Sequence, residues 1–200
     1  MKRIAFFLCA FVVVALASAG GPPLLKSGES ADLFEGFEGK LLWYAVAGTW
    51  KDGDNSLAVK ATTAFATEGT KSLEVTFAMG DKAMATAYTE GFKLINWSAY
   101  KAVGFDVKNT SAKDLRIVCA ICTGDDWNWT ESKEVVVKAG ETAKDLRFDF
   151  NEATWKNAQS EWKNNTTVKG LKLVQRFVVR AFGEKGLSGS YFVDNIRLVK

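Results

Sequence analysis

Two tryptophans, Trp127 and Trp129, stand in the stretch "GDDWNWTES" among residues that are otherwise small or polar. A flat indole either fills a core or lies open, where it can stack on the apolar face of a ligand. If "DWNWTE" is extended, both rings share one face about 7 Å apart. Asp126, Asn128 and Thr130 on the opposite parity are polar, which suits a buried tryptophan face. Asp125 and Glu131 share the tryptophans' parity, and the stretch follows a glycine after a strand-like run, where loops display residues. Both readings stay open from the residues alone. Arg116, Arg176 and Arg180 sit in strand-like runs and offer planar, forked donors for hydroxyl or carboxylate groups.

Other chemistry is restricted. The chain has no histidine, which removes the Ser-His and Cys-His nucleophile systems and most catalytic zinc sites. Any reaction must rest on carboxylates, Lys, Tyr or Arg. Asp125, Asp126 and Glu131 are near enough in sequence to be imagined as a hydrolytic pair, which would need a separation of about 5 or 6.5–9.5 Å in a cleft. Paired acids in a turn are more often solvated or capping residues. Cys119 and Cys122 in "VCAIC" have a CxxC spacing, but they lie within an apolar strand-like run. Residues i and i+3 of a strand face opposite ways about 10 Å apart, so two packed thiols are expected rather than a disulfide.

The elements that must position these groups read as strands. "LLWYAVAGTW", "SLEVTFAM", "KAVGFDVKN", "DLRIVCAIC", "EVVVKA", "DLRFDF", "LKLVQRFVVRAF" and "SYFVDNIRLV" are rich in β-branched and aromatic residues. Turn signals such as "KDGDN", "TEGTK", "KNTSAKD" and "GEKGLSG" separate them. The pattern predicts an all-β, two-sheet antiparallel β-sandwich, a jelly roll. Alternation puts Val103, Phe105 and Val107 inside, with Leu115, Ile117, Cys119, Ile121, Leu146, Phe148 and Phe150. Arg116, Val118, Ala120, Arg147 and Asp149 then face outward. In "LKLVQRFVVRAF" the core set is Leu171, Leu173, Phe177 and Val179, leaving Lys172, Arg176 and Arg180 outside beside Val174 and Val178. An outer face mixing Arg with Val suits a half-covered binding surface, or a strand buried on both sides. One segment departs from the pattern: in 151–165, Asn151 can cap a helix with Trp155, Ala158 and Trp162 on one face, so a short helix or ordered loop is expected there.

Residues 1–19 read as a secretory signal peptide, with Lys2 and Arg3, the apolar run "IAFFLCAFVVVAL" and small residues before Gly20. The run is short for a membrane span, no second one follows, and no cysteine follows "LASAG", so export without a span or lipid anchor is expected, to the periplasm or outside the cell. Lys2 and Arg3 leave with the leader, so 26 basic side chains become 24 against 23 acids. A near-neutral chain argues against nucleic-acid binding. Residues 20–32, with both prolines, read as a linker, and 33–200 as one domain.

"LFEGFEGK", "TEGTKSLEVTF" and "GSYFVDNIRLV" occur in the order and spacing of the carbohydrate-binding modules with a galactose-binding-like jelly roll, which the chain resembles over nearly all of 33–200. The resemblance implies a secreted, non-catalytic domain that holds a polysaccharide or oligosaccharide. It also implies a structural calcium ion, with Glu38 and Asp194 supplying side-chain oxygens and Thr70 and Lys71 backbone carbonyls. The alternative for Asp194 is pairing with a nearby Lys or Arg, or with backbone amides, without a metal. A pyranose stacks its C–H face on an aromatic plane while planar polar groups fork its hydroxyls. On that basis Trp127, Trp129, Arg116, Arg176, Arg180 and Asp126 are the candidate ligand-binding residues. Trp43, Tyr44, Trp50, Trp97 and Tyr100 are weaker ones. A jelly-roll glycoside hydrolase or polysaccharide lyase, and a structural or adhesive surface protein, are the competing readings.

Overall fold

The computed structural model describes residues 25–46 and 55–200. The expected leader, the first part of the expected linker and Trp50 lie outside the described residues. Among the described residues the chain forms thirteen strands and no helix: β1 (Ala31–Glu35), β2 (Trp43–Ala45), β3 (Ser56–Thr62), β4 (Ser72–Ala78), β5 (Met84–Glu90), β6 (Ala102–Asn109), β7 (Leu115–Thr123), β8 (Asn128–Ser132), β9 (Val135–Val137), β10 (Thr142–Asp149), β11 (Trp155–Lys156), β12 (Val174–Phe182) and β13 (Ser188–Val199). No helix there is long and apolar enough to cross a membrane.

The strands make the expected two-sheet antiparallel sandwich. The first sheet runs β10-β6-β13-β4-β3, with β1 also on β13, and the second runs β11-β8-β7-β12-β5-β2, with β9 also on β7. Between them lies a core centred on Phe177, whose ring meets Phe34, Trp43, Trp97 and Phe105 at centroid distances of 5.8–6.2 Å. Two of the buried indoles find carbonyl partners: Trp97 Nε1 donates to the Leu94 carbonyl and Trp155 Nε1 to that of Asp149, both at 2.7 Å. Cys119 and Cys122 are free, buried thiols, and burial pushes Cys122 up to about 11.

Two local expectations change. A bulge between Val174 and Arg176 interrupts the alternation of β12, so Val174 joins the core rather than the outer face. In 151–165 the ordered loop forms instead of a helix: Trp155 pairs with Ser132 and is fully buried, while Trp162 points out, 55 % exposed. Glu161 and Trp162 both adopt positive φ, which ends any helical continuation that would have put Trp155 and Trp162 on one face.

The end of the expected linker is part of the fold. Ala31 and Asp32 already pair with Val199 and Leu198. Glu29 forms a two-bond clasp with Arg147 at 2.7 and 3.1 Å, and Arg147 in turn holds Asp149. Arg147 is nearly inaccessible, so outward parity here does not mean solvent. The Arg147 guanidinium, and then the Lys26 amide, draw the Glu29 carboxyl down to about 2 from an ordinary 4.5. The unfolded chain therefore takes up this proton first on acidification. The stability the clasp adds is whole above about pH 4.5 and is lost as pH falls toward 2. Glu29→Gln should lower the melting temperature at pH 7, and the gap to the parent should close across that window; a gap that is constant with pH would contradict this linkage.

Candidate functional site

The outer face of the second sheet has an unusual floor. Val118, Ala120 and Val178 point away from the inter-sheet core, yet all three are fully buried. Register shows what surrounds them. One cross-strand row reads Tyr44, Tyr88, Val178, Ala120, Glu131 and Lys156, taken from β2, β5, β12, β7, β8 and β11. A neighbouring row reads Glu90, Arg176, Cys122 and Trp129, and another Thr86, Arg180 and Val118. With strands about 4.8 Å apart, the six-strand row spans about 24 Å.

Rings and guanidinium groups alternate across this floor. Arg176 lies between Tyr88 and Trp127, its guanidinium carbon 4.7 and 4.9 Å from the two ring centroids. Tyr88 continues to Tyr44 at 5.4 Å. Arg180 stacks on Trp129 at 5.1 Å and reaches Phe182 at 5.9 Å, and Arg116 covers the same Phe182 at 5.6 Å. Each such contact is worth about 0.5–2 kcal/mol, depending on its desolvation. Ion pairs fix the in-plane directions. Arg176 donates to Glu90 through Nε at 3.0 Å and through its terminal nitrogen at 2.7 Å. Glu131, almost fully buried, takes Lys156 at 2.9 Å and Arg180 at 3.4 Å, while Arg180 Nε donates to Thr86 Oγ1 at 2.8 Å. Arg116 pairs with Glu134 at 3.0 Å.

The structure thus brings Trp127, Trp129, Arg116, Arg176 and Arg180 onto one face. Trp127 differs in one respect from the extended reading: it is a turn residue with φ 53°, and β8 begins only at Asn128. Gly124, at φ 70°, opens the turn, the Trp127 amide closes it on the Gly124 carbonyl, and Gln175 Nε2 donates to that same carbonyl. A non-glycine residue held in this conformation costs about 1–3 kcal/mol. The result is an indole 44 % exposed, with Arg176 on one ring face. Asp126 stands exposed on the same turn, outside these contacts. Trp43 and Trp97 are core residues, and the Tyr100 hydroxyl donates to Asp32.

Sequence reasoning left Tyr88, Glu90, Thr86, Lys156 and Phe182 out of this surface and ranked Tyr44 low. Tyr44 is 47 % exposed and Tyr88 stacks beneath Arg176. Period-two parity within "MATAYTE" puts Tyr88 with Thr86 and Glu90, but not the strand beside which it lies.

The family described as mannanase, galactose-binding domain-like matches residues 44–159. The chain belongs to this family. No curated protein matches it. Among solved structures, this galactose-binding-like domain is similar to the family 11 carbohydrate-binding module of a cellulosomal cellulase of Clostridium thermocellum, at 16 % identity and TM-score 0.55, over 84 % of this chain and 94 % of that one. It is also similar to a family 28 carbohydrate-binding module specific for non-crystalline cellulose, at 14 % identity and TM-score 0.50, over 78 % and 86 %. An agarase aligns at 13 % identity and TM-score 0.58 over 84 % of this chain but 24 % of its own. At these identities the shared property is the fold.

The residues that the family resemblance pointed to for calcium gather at one turn of the galactose-binding-like domain, but with donors rather than carbonyls facing the acids. Glu38 accepts the Thr70 amide at 2.6 Å, the Thr70 hydroxyl at 2.8 Å and the Lys71 amide at 2.7 Å. These bonds, the Thr70 amide foremost, hold the Glu38 carboxyl below its ordinary range. Asp194 accepts the amides of Thr67, Glu68 and Asn195. Among the described residues no group of three or more His, Cys, Asp or Glu is placed to hold a metal ion. Together these bonds form an amide clasp between the 63–71 loop, the 36–38 segment and β13, beside which Glu68 Oε2 is buried without a hydrogen-bond partner. Glu38→Ala should lower the melting temperature by a few degrees. EDTA should leave the parent unchanged, and a chelator-induced drop reversed by calcium would contradict the clasp.

Proposed function

We propose that this domain is an exported, non-catalytic carbohydrate-binding domain that lays a polysaccharide or oligosaccharide across the outer face of its second sheet. The observation that carries the reading is the Tyr88–Arg176–Trp127 sandwich beside two part-exposed rings, Tyr44 and Trp127, over a dry apolar floor. A sugar's C–H face stacks on such rings, and its hydroxyls find the edges of Arg176, Arg180, Glu90 and Trp129. Relatives support the class: a family 11 module of similar fold has been solved in complex with a β-1,3-1,4-mixed-linked tetrasaccharide.

The absence of a reaction is supported by how the acids are used. Glu131 gives its oxygens to Lys156 and Arg180, and Asp125 and Asp126 stand exposed on the turn rather than facing one another across a cleft. Export is supported by the leader-like 1–19 segment.

A glycan array with the parent, Trp127→Ala and Tyr44→Ala tests the reading. The parent should bind a subset of glycans and release no reducing sugar, and each variant should lose about ten- to thirtyfold in affinity, the loss typical of a contact hot spot. Binding unaffected by both substitutions, or no glycan bound at all, would contradict it.

A further inference from the structure

A second concavity opens beyond the 124–128 turn, outside the set of residues that forms the sheet face. It is a cleft of ≈ 410 Å³ lined by Thr123, Gly124, Asn128, Thr130, Asn157, Gln159, Thr166, Lys169 and Gly170. Small-molecule sites begin at about 300 Å³, so it has room for one or two sugar residues rather than a chain. Asn128 and Thr130 carry the parity opposite to Trp129 and Glu131, so β8 turns one edge to the sheet face and the other to this cleft.

Apart from Lys169 the walls are neutral and rich in amides and hydroxyls: Asn128 and Gln159 stand exposed, Thr166 is half-buried, and Thr130, 3 % exposed, also lines the cleft. The outer wall is also built in advance. Asn157 Oδ1 accepts the Ser160 amide at 2.9 Å, the Trp162 amide donates to the Asn157 carbonyl at 2.9 Å, and Thr166 bridges to Trp155. On the inner side Thr123 Oγ1 donates to the Lys169 carbonyl at 2.8 Å, and Gly170, at φ 72°, lies so close that a Cβ there would meet Thr123 Oγ1 at 3.1 Å. Lys169 is the one charged residue among those lining the cleft.

We propose that this cleft is a second saccharide site, which takes a neutral monosaccharide or the terminal residue of a glycan. Amides and hydroxyls in a neutral setting match the paired donor and acceptor demands of vicinal hydroxyls, and nothing there matches an anion except the single exposed lysine. The site is separate from the sheet face and stands whether or not that face binds.

The ¹⁵N-labelled chain titrated with glucose, mannose, galactose, cellotetraose and mannotetraose tests this by NMR. The amides of Asn157, Gln159 and Thr166, remote in sequence from Trp127, should shift and saturate with at least one of these probes. Asn128→Ala with Gln159→Ala, both at exposed positions, should weaken that isotherm about tenfold and leave shifts at Tyr44, Tyr88 and Arg176 intact. Trp127→Ala should do the reverse. The cleft proposal is overturned if those three amides show no saturable shift with any probe, or if their shifts vanish in Trp127→Ala together with those of the sheet face. Shifts confined to the cleft would instead sink the sheet-face reading alone.

Discussion

The exposed face of the second sheet depends on guanidinium groups lying flat. Val118, Ala120 and Val178 would be an apolar patch open to water if nothing covered them. Arg176 and Arg180 extend their aliphatic stems beside that patch and place their planar heads against Tyr88, Trp127 and Trp129. Glu90, Thr86 and Glu131 fix the heads from the side, so the stacking direction stays available. A lysine could supply the charge but neither the plane nor the fork. The face is therefore ordered by the chain's own contacts, the condition under which a ligand surface has the least ordering cost to overcome.

The same strand joins this face to the core. β12 turns Phe177 into the centre of the aromatic cluster and Arg176 and Arg180 to the opposite side, with β7 and β5 on its two flanks. That parity holds from Arg176 to Phe182, where pairing with β5 and β7 is regular, and the bulge after Val174 breaks it only at the start of the strand, turning Val174 to the core. Further along, the Gly124 turn presents Trp127, held by Gln175 of the same strand. Fold and surface are set by one run of nine residues and its neighbours.

How far the chain could be read before its structure follows from which forces are local. The alternation of apolar residues in 103–107, 115–121 and 146–150 fixes inside and outside because burial acts at period two, which puts Arg116 outward, and the core set in 171–179 does the same for Arg176 and Arg180. The indole-rich turn signalled itself by Trp among Asp and Asn. What could not be read is set by long-range register. Tyr88 meets Arg176 only because β5 lies beside β12, and Glu131 is clamped by Lys156 only because β11 adds to β8. Val174 was misplaced because a bulge leaves no mark in composition. Trp155, Ala158 and Trp162 had helical spacing, but strand addition at Trp155 and positive φ at Glu161 and Trp162 prevailed. For Asp194 the sequence left open a metal, a basic side chain or backbone amides, and only the folded loop shows which amides reach it and Glu38.

The most direct test of this account is the affinity of Arg176→Lys for whichever glycan the parent binds. The substitution keeps the positive charge near Glu90 and removes the planar head between Tyr88 and Trp127. If the stacked guanidinium organises the face, affinity should fall about tenfold while the melting temperature drops by only a few degrees, the cohesion lost with the two stacking contacts. Undiminished affinity in that variant would mean that charge alone is needed there, and the central claim would be wrong.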